Sequence, residues 1–286
     1  MSSKARHLGI AALVMVVMAT GALSASDDDP DQLCLTCHDT FEATRLHTAH
    51  GLDRPNAPTC ESCHGDGSAH MEEGDAALIF VPKGVESNET CTTCHAGIHT
   101  VMNSGDVHST RGVACVDCHQ AHPETPTTTA MLRAEPDALC VSCHARTERT
   151  FNRPFGHRLG QAGVSCISCH DPHGGLGERS LKKDHAGDTA CVSCHAEKRG
   201  PFVFPHVTDM SGDCMSCHQP HGSSNPHALK RSRVDQLCLE CHSPLEGAAL
   251  GSQPVSTHDL RSPRYRECTV CHVAVHGSNA SPTLQR

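Results

Sequence analysis

The stretch Gly163 to Gly174 reads GVSCISCHDPHG and contains Cys166, Cys169 and His170 in a Cys-x-x-Cys-His arrangement. Residues three apart share one face of a helical turn. Two thiols placed this way can form thioether bonds to the two vinyl groups of one haem, and the adjoining imidazole can ligate its iron from the proximal side. His173 follows three residues later. It cannot easily swing round to the far face of the same haem, so it is a candidate distal ligand for a neighbouring one.

The arrangement occurs ten times. The pairs are Cys34/Cys37, Cys60/Cys63, Cys91/Cys94, Cys115/Cys118, Cys140/Cys143, Cys166/Cys169, Cys191/Cys194, Cys214/Cys217, Cys238/Cys241 and Cys268/Cys271, which use all 20 cysteines and leave none for disulfides. The proximal histidines are His38, His64, His95, His119, His144, His170, His195, His218, His242 and His272. A zinc ribbon needs cysteine pairs but no histidine after each of them. With 25 histidines in 286 residues, a histidine after every pair is no accident. The expected cofactor is therefore haem c, ten copies, each with one iron.

Distal ligands follow from the same count. Five histidines precede the even-numbered motifs by 7–10 residues: His50, His108, His157, His206 and His258. Five trail them: His70, His122, His173, His221 and His276. Together they supply one distal ligand per iron. His70 stands further from its motif than its counterparts, which makes His99 its rival. His47, His99, His185 and His227 fall outside the pattern and read as surface or haem-edge residues. The sequence leaves open which distal histidine serves which haem. Two histidines on every iron would leave no position for a substrate, and this argues against an enzyme. No motif ends in Lys in place of His.

The elements carrying these residues must be small. Odd motifs follow Asp31, Asn88, Asp137, Asp188 and Asp235, each three before the first Cys, where a side-chain N-cap of the motif's short helix is expected. Odd and even motifs alternate, so residues 27–286 read as five di-haem repeats in a quasi-linear chain. Aromatic content is 2%, with no Trp, one Tyr and six Phe. Roughly 26 residues per haem is below the ~40 that can build a core of their own. The expected fold is a multihaem cytochrome c: short α-helices and long loops wrapped around the haems, with little or no β structure. The apolar run Ala76 to Val81 is expected to pack on a haem edge, not in a sheet. Residues 123–130 read as a surface loop.

Residues 1–26 read as a cleaved export signal, with Lys4 and Arg6, an apolar run from Leu8 to Leu23 and small residues at Ala22 to Ser26. A retained anchor is the alternative. Both place the protein outside the cytoplasm. Net charge is −9, or −11 without Lys4 and Arg6. That excludes nucleic acid and points to electron carriers docking through small interfaces.

Ten Cys-x-x-Cys-His motifs, an export signal and segments such as GVACVDCHQAHP, GVSCISCHDPHG and SGDCMSCHQPHG resemble the periplasmic decahaem cytochromes of outer-membrane porin–cytochrome conduits, the MtrA/DmsE family. The resemblance covers residues 34–276. It implies a haem wire across the outer membrane inside a β-barrel porin partner. It also implies exchange with periplasmic and extracellular multihaem cytochromes or a terminal reductase, in anaerobic respiration and extracellular electron transfer. The family is described as two pentahaem halves, whereas this sequence shows a di-haem period. A soluble periplasmic shuttle between a quinol dehydrogenase and a terminal reductase is the alternative, and a multihaem oxidoreductase a third reading.

Overall fold

The structure is a computed structural model. It describes residues 31–46, 48–51, 56–99, 107–123, 129–174, 178–183, 188–206, 213–242, 258–259 and 261–285. The signal segment, His47 and His185 lie outside the described residues, as do most of 123–130 and the side chain of His99.

Each motif sits on a short helix or a single turn. The odd motifs occupy α1 (Gln32–Leu35), α5 (Asn88–His99), α8 (Pro136–Cys143), α11 (Ala190–Cys194) and α12 (Val234–Cys238). Three even motifs occupy α3 (Cys60–His64), α7 (Cys115–Cys118) and α10 (Cys166–Cys169). The other two are 3-10 turns at Cys214–Ser216 and Cys268–Val270. Between them lie α2 (Thr40–Leu46), α4 (Ser68–Glu73), α6 (Val107–Thr110) and α9 (Ala145–Phe151). Helices this short do not persist alone, so tertiary contacts must hold them.

Several odd and even motifs differ at the histidine itself, although His64 of the first even motif stays within α3. His95, His144 and His195 stand near φ −96 to −99°, ψ 30 to 50°, and the chain continues into another turn. His119 and His170 are extended, at ψ 151° and 145°. The chain then runs straight on and pairs with a segment downstream through the bridges His119↔Leu132, His170↔Leu181 and His218↔Leu229.

The acidic or amide residue before the odd motifs does not cap its own helix as expected. Asp31 makes no side-chain cap bond to α1, and Asp137 lies inside α8, which Glu135 precedes. Instead Asp31 Oδ1 accepts from the backbone N–H of Cys60 (2.6 Å), Asn88 Oδ1 from Cys115 (2.9 Å) and Asp137 Oδ1 from Cys166 (2.8 Å). Each satisfies a free donor at the start of the next motif's helix. The spacing that suggested a local cap serves a contact 27 to 29 residues away.

These ties set the spatial order of the motifs. Contacts join α3 to α5, α5 to α7, α8 to α10, α10 to α11 and α12 to the turn at Cys268–Val270. The thiols trace the same path. Burial pushes Cys63 up, with Cys91 and Cys94 beside it. Burial does the same to Cys169, next to Cys191 and Cys194. Burial and the adjacent Cys268 push Cys238 to about 12, and Cys217 is also close.

Neighbouring repeats are laced together by small bridges. Phe155↔Ser223 is one, and β1 (Phe204–Pro205) pairs antiparallel with β2 (Gly277–Ser278) as Phe204↔Ser278. In both, the first residue lies two before a leading histidine and the second two after a trailing one. Gly222 (φ +131°) and Gly277 (φ +141°) follow those trailing histidines. A Cβ on Gly222 would lie 2.2 Å from the Thr150 carbonyl oxygen, and one on Gly277 2.2 Å from the Phe202 ring. Only glycine permits so close an approach.

Among the described residues, Ala114 is the only buried hydrophobic one. The buried polar residues include Asp31, Arg45, Thr48, Ser87, Ser223, Asp235 and Ser278. A chain that buries polar joints and leaves its apolar side chains partly open has no side-chain core. The run Ala76 to Val81 forms no strand. It begins with a 3-10 turn, Ala76–Leu78.

Candidate cofactor-binding sites

Each proximal histidine faces one histidine from elsewhere in the chain. Ring centres are 6.1 Å apart for His38 and His70, 6.3 Å for His64 and His122, and 6.0 Å for His95 and His50. They are 5.9 Å apart for His119 and His173, 6.1 Å for His144 and His108, and 6.0 Å for His170 and His221. They are 6.1 Å apart for His195 and His157, 6.2 Å for His218 and His276, 6.2 Å for His242 and His206, and 6.1 Å for His272 and His258. Rings in direct contact would be closer. Two imidazoles sharing a metal need about 2 Å for each metal–nitrogen bond and about 1 Å from each nitrogen to its ring centre, roughly 6 Å in all. The spacing fits one iron between each pair, and the two cysteines beside each proximal ring fit covalent attachment of its macrocycle.

The spacing alone treats both thiols of a pair alike, and the structure corrects this. Cys37, Cys94, Cys143, Cys194 and Cys241, the second cysteines of the five odd motifs, are exposed, and so is Cys271 of the last even motif. The other cysteines are half-buried. The reason is which side of each turn meets a neighbour. First thiols of an odd motif and of the even motif after it adjoin: Cys34 and Cys60, Cys91 and Cys115, Cys140 and Cys166, Cys191 and Cys214, Cys238 and Cys268. The second thiol of an odd motif lies off that joint and meets solvent. An even motif's second thiol has the next odd motif beside it, as Cys118 has Cys140 and Cys143. No further motif lies beside Cys271 among the described residues. An exposed thiol remains suited to attachment, because thioether bonding needs access to a vinyl group and not burial.

The pairing of histidines follows a rule that the sequence did not disclose. Adjacent repeats exchange histidines reciprocally. The first repeat receives His122 at His64 and lends His50 to His95. The second and third exchange His173 and His108, the third and fourth His221 and His157, the fourth and fifth His276 and His206. The two ends close on themselves: His70 serves His38 and His258 serves His272, each within its own repeat. This accounts for the unusual spacing of His70, whose loop turns back inside its own repeat.

The rings are held by backbone carbonyls, which fix tautomer and orientation as metal-bound imidazoles require. Every even proximal histidine has such a partner. His64 Nδ1 lies 2.9 Å from the Phe80 carbonyl, His119 2.9 Å from Ala130, His170 3.1 Å from Arg179, His218 2.9 Å from His227 and His272 2.5 Å from Thr283. Ala130, Arg179 and His227 are left-handed, each at φ 56°. Such residues are uncommon outside glycine and persist where the surroundings over-determine them. His227 therefore has a place, through its backbone. Sequence reading missed these segments, although Leu132-Arg133, Leu181-Lys182 and Leu229-Lys230 recur after the even motifs. Arg133 Nη1 and Lys182 Nζ then reach back to the carbonyls of Val116 and Ile167 inside the motifs.

Leading histidines are held across repeats. His108 Nδ1 lies 3.2 Å from the Pro172 carbonyl and His157 Nδ1 3.1 Å from Pro220. Pro172 adjoins His173 and Pro220 adjoins His221, so one dipeptide steadies two sites. His70 Nδ1 lies 3.0 Å from the Asp75 carbonyl. Burial, with neighbouring cations and histidines, lowers the pKa of His50, His122, His206, His221 and His276. All five belong to the distal sets, and the neutral imidazole is the form that ligates metal.

Arg45 is a second residue that sequence reading missed. It is 5% exposed. Its guanidinium reaches Asp31 Oδ2 at 2.9 Å, the His50 carbonyl at 3.3 Å, Cys60 Sγ at 3.4 Å and the Pro58 carbonyl. It joins the first two motifs to the histidine that serves the third.

A chain of Cys-x-x-Cys-His turns, each with a second imidazole opposite its own, defines a multihaem c-type cytochrome, a protein of electron transfer. The comparisons agree. A doubled CXXCH motif family matches residues 157–200 and 206–247, and a cytochrome c-type NrfB-like family matches residues 60–143. Multiheme cytochrome MtrA of Shewanella baltica is 36% identical over 273 residues, 88% of this chain and 80% of that protein. Cytochrome c-type protein NrfB of Escherichia coli O6:H1 is 34% identical over 156 residues, 48% of this chain and 82% of that protein. The chain belongs to the MtrA family of multihaem cytochromes.

Proposed function

We propose that the protein is a decahaem electron wire that lies inside an outer-membrane β-barrel and carries electrons across that membrane. The observation that carries this reading is the set of ten histidine pairs at 5.9–6.3 Å, ordered along the chain with no proximal histidine left unpaired. Bound haem c supplies a one-electron ferric–ferrous couple. The cysteines would attach it, each pair of imidazoles would hold its iron from both faces, and the carbonyls at Phe80, Ala130, Arg179, His227 and Thr283 would keep the proximal rings fixed. With one histidine of the chain to hold each iron on either side, the sites would suit electron passage and not catalysis.

Surface chemistry supports the barrel. No helix among the described residues is long and apolar enough to cross a membrane. Loop-rich backbone and charged side chains are not tolerated against ~30 Å of hydrocarbon, whereas the lumen of a large barrel is polar. Export by residues 1–26 to the periplasm belongs to the same reading. The test has two parts. Denatured protein should exceed its polypeptide mass by ten haem masses, with no thiol open to alkylation. Proteoliposomes holding the protein with a co-purified barrel should pass electrons from an external reductant to a trapped dye, and the barrel alone should not. Full recovery from periplasm with no gain from any barrel would leave the soluble shuttle between a quinol dehydrogenase and a terminal reductase.

A further inference from the structure

The ring planes at the ten sites are not alike. They lie within 10–23° of parallel at His38/His70, His64/His122, His119/His173 and His218/His276. They cross at 40–64° at the other six. Every leading histidine makes a crossed pair, and four of the five trailing ones make a near-parallel pair. The exception is His221. There the Phe151 ring lies 5.1 Å away and Gly222 is pressed against the Thr150 carbonyl.

An imidazole's π orbital lies perpendicular to its plane and raises the iron d orbital of the same orientation. Two parallel rings push on the same d orbital, and the electron added on reduction must complete that raised orbital. Crossed rings divide the effect between two orbitals. A near-parallel site is therefore harder to reduce than a crossed one. Three of the four near-parallel sites have their proximal histidine in residues 27–150, and four of the six crossed sites have theirs in 151–286.

Charge adds an independent bias of the same sign. Residues 27–150 carry 20 Asp and Glu against 7 Lys and Arg, whereas residues 151–286 carry 12 against 14. Exposed Glu42, Glu72, Glu73 and Glu86 lie near the first sites in sequence, and exposed Arg231, Arg264 and Arg266 near the last. Negative surroundings favour the more positive ferric state, so acidic flanks lower a site's potential. Haem propionates are distributed evenly and do not alter the contrast.

We propose that the wire is electrically biased from end to end. The N-terminal sites hold electrons weakly and the C-terminal sites hold them more firmly. Electrons given by a reduced redox protein at the N-terminal end, one per site, settle towards the C-terminal end. The proposal rests on the bis-histidine reading above and adds a direction to it.

The experiment is a potentiometric titration of the complete holoprotein followed by electron paramagnetic resonance. At rest, two low-spin ferric populations in a ratio of about four near-parallel to six crossed are expected. As the potential falls, the crossed population should disappear first. Raising the salt should narrow the gap without closing it, because salt screens the exposed charges and leaves the ring planes unchanged. The combined Glu42→Gln, Glu72→Gln and Glu73→Gln variant should move only the near-parallel population to higher potential. Arg264→Gln with Arg266→Gln should move the crossed population to lower potential. Ten low-spin sites that titrate together, or a near-parallel population that disappears first, overturn the bias and leave the ligation intact. A high-spin ferric signal at rest overturns the ligation itself.

Discussion

Removing the carboxylate of Asp137 isolates the joint between an odd motif and the even motif after it. Asp137 Oδ1 accepts from the backbone N–H of Cys166 at 2.8 Å. That N–H opens α10 and has no partner inside so short a helix. A hydrogen bond to a charged acceptor contributes about 1.5–3 kcal/mol, against about 0.5–1.5 kcal/mol for a neutral one. Asp137→Ala should therefore loosen the Cys166–Cys169 turn by about 1.5–3 kcal/mol. Asp137→Asn should cost only about 1 kcal/mol, because the amide oxygen still accepts. The chain contains its own control in Asn88, which does the same for Cys115 at 2.9 Å. Amide hydrogen exchange across residues 166–169 of the holoprotein reads the difference directly. With tenfold for each 1.4 kcal/mol, exchange should accelerate by roughly 10- to 150-fold in Asp137→Ala and by about tenfold or less in Asp137→Asn. Unchanged exchange in the alanine variant, or equal acceleration in both, would refute the inter-motif tie.

His173→Ala should unseat the ring opposite His119, so the high-spin signal should arise at the haem held by Cys115 and Cys118 and not at the one held by Cys166 and Cys169. Added imidazole should restore the low-spin form there. Gly222→Ala sets a Cβ at 2.2 Å from the Thr150 carbonyl at φ +131°, so backbone must shift. A loss of more than about 2 kcal/mol is expected in denaturant titration, and Gly160→Ala, with nothing within 4 Å at φ +75°, should lose much less. At Asp31, burial favours the neutral acid, but hydrogen bonds from Cys60 and Arg45 outweigh it and hold the carboxyl below its usual 3.8. Its contribution is thus present above pH 3.8 and lost as the pH falls through that lowered value. Exchange at Cys60 should accelerate only in that acid window, and Arg45→Gln should move the onset to higher pH.

The sequence by itself determined the chemistry. Twenty cysteines in ten identical spacings mark the residues that would attach a cofactor, because thioether bonding is a local matter of one helical turn. The scarcity of aromatic side chains likewise implied a chain without its own core, and Ala114 alone among the described hydrophobic residues is buried. The ten histidines singled out as distal are the ten that face proximal rings. Their partners were not legible, because tertiary contacts bring the rings in; the bridges Phe155↔Ser223, beside His157 and His221, and Phe204↔Ser278, beside His206 and His276, leave little trace in local spacing. Nor was the unequal cover of the thiols. Cys37 and Cys241 are as regularly spaced as Cys63 and Cys217, and only the packing of one motif on the next leaves the former open. Asp31, Asn88 and Asp137 looked like local caps because capping and cross-motif bonding use the same acceptor at the same position. The left-handed carbonyls at Ala130, Arg179 and His227 escaped notice because a backbone atom provides the contact and the side chain is free to vary. Only the tertiary structure decided that neighbouring repeats exchange histidines while the first and last repeats each keep one pair of their own. The physical reason is that a ring's partner is set by which loop folds back beside it, as His70 does for His38 and His258 for His272, and that is a matter of packing and not of spacing.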